Sequence, residues 1–160
     1  MAHTVYRNKE NRQRIVHNLV WLPMATIGLV VLLLGLTWFL HPEPWLLDRA
    51  PNEALIRTTF QNLFSASINR HLPLYLKVIY KFLGLCLIAT SLLTLSYLNI
   101  TRLGTRSSRK HLYALFFLIL LGIYYLIFTY LQSSPLKPIL YVLTLLYVFS
   151  VVSSVFLKEK

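Results

Sequence analysis

Four long stretches of this chain are apolar, with no charge in the central part of any, and that fact limits the fold more than any other. The first runs from Ile15 to Leu40, about 26 residues, where about 20 suffice to cross the hydrocarbon core of a bilayer. Inside hydrocarbon each backbone N–H and C=O must find its partner within the element, so each stretch must be a helix. A membrane barrel would need short strands of alternating polarity, and continuous runs such as Leu29 to Leu36 exclude that. The predicted spans cover about 15–40, 78–101, 112–132 and 138–157, with an outer loop over 41–75. The expected fold class is all-α: a polytopic four-transmembrane-helix bundle, up-down-up-down, forming one membrane domain over the 160 residues.

Composition agrees with lipid as the solvent. Hydrophobic residues make up 56% of the chain and charged residues only 13%, against about a quarter in soluble domains. A soluble fold this small leaves too much of its surface in water to hide that load. The first run is too long for the core of a signal peptide, and no small-residue cleavage site follows it, so it reads as a retained span. Trp21 and Trp38 near its ends fit an aromatic belt, and Pro23 is expected early in the helix, where proline is tolerated.

The outer loop opens His41-Pro42-Glu43-Pro44-Trp45, a non-helical exit, because each proline holds its predecessor extended. From about Asn52 a short amphipathic helix is expected, lying at the membrane interface. Ile56, Phe60, Leu63 and Phe64 would form its apolar face, Asn52 its cap, and Glu53 would sit in its first turn. Pro73 marks a break before the second span.

The net charge of +11 points to headgroups and excludes nucleic acid as the expected partner, because the basic residues cluster at the ends of the apolar runs. Arg7, Lys9, Arg12, Arg14, then Arg102, Arg106, Arg109, Lys110, then Lys158 and Lys160 fall on one side of an even-numbered bundle. The other side holds Arg49, Arg57, Arg70, Lys77, Lys81 and Lys137. The imbalance places both termini in the cytoplasm and the long loop outside, in what reads as a bacterial inner membrane.

The chemistry missing from the spans is informative. No Asp, Glu, Lys, Arg or His lies in the central part of any of them. Proton-coupled transport needs a titrating group in the pathway, and intramembrane haem needs axial histidines. His3, His17, His41, His71 and His111 all fall at or outside the ends of the spans. The lone Cys86 cannot form the pair that a thiol oxidase requires. His41, Glu43, Asp48 and His71 lack metal-ligand spacing, so no metal is expected. No catalytic residues are assigned.

Three sets of residues are candidates for other roles. Tyr124, Tyr125 and Tyr147 lie well inside the last two spans, where a hydroxyl seeks a partner: they could hold a quinone or a lipid, and the favoured role is a hydrogen bond to a facing helix. Arg70, Lys77 and Lys81 share one helical face if the helix extends back far enough, suiting a lipid headgroup or another anion. Gly28 with Gly35, Gly84 with Ser91, and Ser150 with Ser154 repeat at seven- and four-residue spacings that let helices approach closely. The Arg102, Arg106, Arg109, Lys110 cluster reads first as a topology signal.

The order of parts resembles that of the DoxX-like small four-helix membrane proteins: Gly28 and Gly35 in the first span, Pro42 and Pro44 in the outer segment, then Tyr80-Lys81-Phe82-Leu83-Gly84 opening the second span. The resemblance implies an accessory membrane role, because some members are similar to membrane subunits of quinone-linked oxidoreductases. The leading expectation is therefore a non-catalytic accessory or scaffold subunit partnered by lipids and other membrane protein subunits. The alternative is a binding protein or carrier for a hydrophobic ligand such as a lipid or quinone, with no other cofactor.

Overall fold

A computed structural model describes the backbone of residues 2–158 and the side chains from Glu10 to Lys158. The Arg7 and Lys9 side chains, and Glu159 and Lys160, lie outside the described residues. Helices α1 (Ala2–Leu40), α4 (Leu72–Thr101), α5 (Arg106–Thr129) and α6 (Lys137–Ser154) are joined through two short helices, α2 (Arg49–Ile56) and α3 (Phe60–Ser65). No strand occurs among the described residues. Four of these segments are long and apolar enough to cross a membrane: Glu10–Leu40, Ser67–Thr101, Arg106–Thr129 and Lys137–Ser154.

Helix ends follow local chemistry more closely than they follow the apolar runs. Thr105 caps α5, its Oγ1 accepting the Ser108 amide at 3.2 Å, so the helix starts at Arg106, ahead of the apolar run. Pro73 does not break the second long helix. It sits in the first turn of α4, where its missing N–H costs nothing, and the helix begins at Leu72. Pro23, by contrast, lies deep inside α1 rather than early in it, because the helix already begins at Ala2. It has no N–H for the Leu19 carbonyl.

Pairings along the helices define the packing. On α4, Gly84 faces Gly35 of α1, Ser91 reaches Gly28, and the Leu98 carbonyl accepts from Trp21. Positions fall seven residues apart on both helices and run in opposite senses, so α1 and α4 are antiparallel. On the other flank of α1, Ser150 of α6 bonds to the Val20 carbonyl and the Lys158 amide to Gln13. Helix α5 pairs with α6 through Tyr113 with Ser150 and Tyr124 with Thr144, again antiparallel. The long helices therefore alternate in direction.

They do not contribute equally. Helix α1 is the hub, packing along α4 on one flank and α6 on the other, while α5 is held mainly by α6. The core gathers Val20, Met24 and Ile27 of α1 with Leu98, Leu103, Leu112, Tyr113 and Phe116. It lies at the end of the bundle that holds the α4–α5 turn and the end of α6.

The outer loop differs from the single amphipathic helix that its apolar spacing suggests. It holds two helices, because Arg57 takes a left-handed conformation (φ 55°) and Thr59 caps a fresh helix, its Oγ1 accepting the Asn62 amide at 3.2 Å. Ile56 and Phe60 consequently do not share a helix. The former is exposed and the latter buried. Asn52 lies inside α2, and Asp48 stands at its N-cap position without a capping bond.

Candidate functional site

The small residues of α1 and α4 lie against each other. A Cβ on Gly35 would come within 2.9 Å of the Gly84 carbonyl, and one on Gly84 within 2.8 Å of both the Gly35 carbonyl and the Phe39 amide. Backbone meets backbone there. One heptad along, the Ser91 hydroxyl donates to the Gly28 carbonyl at 2.5 Å in a fully buried contact. On α6, the buried Ser150 hydroxyl donates to the Val20 carbonyl at 2.7 Å, beside the carbonyl that Pro23 leaves without a donor. The bond ties α6 to the turn of α1 that contains Pro23, one residue along from the Leu19 carbonyl. Ser154 turns back on its own helix, to the Val151 carbonyl.

The three inner tyrosines do not converge. Tyr124 meets Thr144 Oγ1 at 3.0 Å and stacks on Phe128. Tyr147 donates to the Tyr113 carbonyl at 3.0 Å and meets the Tyr113 ring edge-on. Tyr125 is 61% exposed and touches Tyr130. The first two hydroxyls are engaged by the facing helix, and the third residue points away from it.

Arg70, Lys77 and Lys81 also have separate surroundings. Arg70 ends the 3-10 turn Ser67–Asn69, ahead of α4. Lys81 donates to the Phe39 carbonyl at 2.7 Å and lies 5.3 Å from the centre of the Phe39 ring. A cation on the last carbonyls of α1 complements the negative end of that helix. Trp21 and Trp38 turn inward instead of forming a belt: Trp21 Nε1 bonds to the Leu98 carbonyl, and Trp38 is buried with its Nε1 unpaired.

Over the α1–α4 seam sits a polar patch. Asn52 donates to the Tyr80 hydroxyl at 2.7 Å. Asp48 is 8% exposed, its Oδ1 has no partner, and burial raises its carboxyl above the usual range. Glu53 has the opposite fate. It accepts the Phe60 amide at 3.0 Å and pairs with Arg49 at 2.9 Å, and these bonds, the amide first, hold its carboxyl below the usual range. His41 Nδ1 accepts the Glu43 amide.

The basic turn between α4 and α5 contains the residue that charge counting misses. Arg109 is 5% exposed. Its guanidinium donates to the carbonyls of Leu103 at 2.9 Å, Gly104 at 3.3 Å and Leu157 at 3.4 Å. It ties the turn after α4 to the chain just past α6, and among the described residues no carboxylate takes part. Its place three residues into a helix capped by Thr105, just after Gly104, is the signal that could have singled it out. Beside it opens a cavity of about 580 Å³ between the first turns of α5 and the end of α6. A second, more apolar cavity of about 590 Å³ lies between α1 and α6, and Lys158 borders both. Among the described residues no carboxylate lines either one.

Comparison of the chain with protein families, curated proteins and solved structures finds no match.

Proposed function

We propose that this chain is an integral membrane protein of a bacterial inner membrane, with cytoplasmic termini, and that it serves as a non-catalytic accessory or scaffold subunit of a larger membrane assembly. The observation that carries the reading is the position of α5. This helix is long enough to cross a bilayer, yet it leans chiefly on α6 and leaves Leu115, Leu118, Leu121 and Tyr125 open. A rim helix with an apolar outward face suits contact with further helices or with lipid, whereas the hydroxyls inside the bundle are already engaged. The basic end of the bundle supports the proposed orientation under the positive-inside rule. The DoxX-like layout belongs to the same proposal. The hydrophobic-carrier reading has less support, since Tyr124 and Tyr147 bond to neighbouring helices and Tyr125 lies apart from both.

Mass spectrometry of the protein extracted gently from its native membrane tests the reading. Stoichiometric partner subunits are the expected result. A protein that emerges alone with one bound quinone or lipid would reverse the order of the two readings. A cysteine at Ser107 should stay shielded from an impermeant thiol reagent in intact cells, and labelling there would overturn the orientation.

A further inference from the structure

Asp48 is a buried acid that its surroundings leave unanswered. It is 8% exposed and its Oδ1 has no partner. It stands at the N-cap position of α2, yet its side chain makes no capping bond, so the positive end of that helix gives the anion little help. A carboxylate held this way loses its hydration without gaining hydrogen bonds, whereas a neutral carboxyl loses far less.

The charged and titratable groups around it are occupied or apart. Before it in the chain, His41 accepts the Glu43 amide and Glu43 is exposed. On α2, Arg49 pairs with Glu53 at 2.9 Å. On α4, Tyr80 is close enough to feel the Asp48 charge, while Lys81 donates to the Phe39 carbonyl. No ion pair joins Asp48 to Lys77, Arg57 or Arg70. The last turns of α1 and the whole of α3 carry no acid or base.

Few ties hold α2 to the long helices. Pro44, Trp45 and Pro51 are buried around it. Among the described residues one side-chain hydrogen bond joins α2 to a long helix, from Asn52 to Tyr80 at 2.7 Å. Asp48 therefore lies beneath a small element that can lift while the helices below it stay packed.

We propose that Asp48 is a proton-operated latch: its neutral form keeps α2 docked over the end of the α1–α4 seam, and its ionised form releases α2 and bares Tyr80. The docked loop binds the proton more tightly than the released loop. Release is therefore least in acid, grows as pH rises from the ordinary carboxylate range to the docked value, and levels off above it. Glu53 sets the acid limit, because its bonds to the Phe60 amide and Arg49 weaken as pH falls through its own lowered range.

The test is amide hydrogen exchange, read by mass spectrometry, on the protein and its Asp48→Asn variant in dodecyl maltoside. Both are measured at matched pH, so the chemical pH dependence of exchange cancels. Between about pH 4 and about pH 8, exchange of the α2 amides in the parent should rise at least about threefold relative to the variant. The amides of α1 and α4 should keep one ratio throughout. A ratio for α2 that stays level with pH would overturn the latch. So would a rise shared equally by the long helices, which marks loosening of the whole molecule. If the variant does not fold, acrylamide quenching of the unaltered protein reads the same event through Trp45, buried three residues before Asp48. Quenching should climb over the same pH range, and a constant value would overturn the proposal.

Discussion

The α1–α4 seam and the α5–α6 pair solve one problem in opposite ways. Each must hold two long apolar helices together where apolar side chains alone give little preference for one neighbour over another. The seam does so by removing side chains: Gly35 and Gly84 bring the backbones into contact, and Ser91 closes on Gly28. The α5–α6 pair does so by extending them: Tyr124 reaches Thr144, Tyr147 reaches the Tyr113 carbonyl, and Lys137 lies 5.4 Å from the centre of the Phe128 ring. Close backbone approach admits almost no change in volume. Long bridging side chains leave room to adjust, so the first pair is the rigid half of the molecule and the second the adaptable half.

Substitutions can break or sharpen that contrast. The largest effect is expected from Gly84→Ala. Its new methyl meets backbone atoms at 2.8 Å, neither of which can swing aside, so the helices must part at a cost of about 2–3 kcal/mol. Thermal unfolding in detergent, followed by circular dichroism, should register the loss. The same change at Gly122 on α5, where nothing lies within 4 Å of the added methyl, should leave stability equal or raised by up to about 1 kcal/mol. Equal losses at the two sites would erase the contrast.

Next in size is Ser150→Ala, on the helix that joins the two halves. It removes the donor to the Val20 carbonyl and one partner of Tyr113, for about 1–2 kcal/mol. Denaturant titration of the variant beside Ser154→Ala, whose hydroxyl donates to the Val151 carbonyl of its own helix and takes no part in the bond to Val20, should separate the two serines.

Asp48→Asn should act in the opposite direction, by about 1 kcal/mol at neutral pH. The carboxyl of Asp48 is raised by burial, so the folded state binds its proton more tightly than the unfolded state does. Its contribution to stability is most favourable below the unfolded pKa, declines as pH rises through the window up to the folded pKa, and is constant above that. The gain from Asn should therefore be full above this window and vanish in acid. A variant that melts at the parental temperature at neutral pH would show that the unpaired carboxylate costs nothing. Glu53, whose carboxyl is lowered, behaves inversely: its stabilising bonds to the Phe60 amide and Arg49 weaken as pH falls through its folded pKa.

The smallest effect belongs to Tyr124→Phe. Side-chain hydrogen bonds between apolar helices average about 0.6 kcal/mol, and the loss of the Thr144 contact should cost no more than that. A loss as large as that at Gly84 would mean the α5–α6 pair is as rigid as the seam.

How much of this was legible beforehand depended on the range of the interaction involved. The four apolar helices follow from solvent alone, and one-dimensional periodicity is enough to mark Gly28, Gly35, Gly84 and Ser91 as small positions at heptad spacing. Which helix each would face is three-dimensional, and the central place of α1 has no counterpart in the order of the chain. Aromatic residues left several roles open. Trp21, Trp38 and the inner tyrosines have both apolar bodies and polar tips, so their types suit a belt, a ligand site or a helix bridge equally. Only the Leu98 carbonyl near Trp21, or Thr144 near Tyr124, decides between them. The loop helix split because Thr59 and the left-handed Arg57 outweighed an apolar spacing that bridged them. Arg109 was hidden among other cations, since charge counting cannot distinguish a solvated guanidinium from one spent on carbonyls.

The turn before Arg109 has a consequence for the order of assembly. Arg102 and Leu103 are both left-handed (φ 47° and 51°), although glycine stands only at the next position. Such a conformation costs a residue with a Cβ about 1–2 kcal/mol. Leu103 offsets its share by complete burial in the core with Val20 and Met24 of α1. A hairpin of α4 and α5 alone would lack those neighbours, and its connector would relax to another shape. The shape of this short bend is therefore set by a helix distant from it in the chain, and it is complete only when α1 is in place.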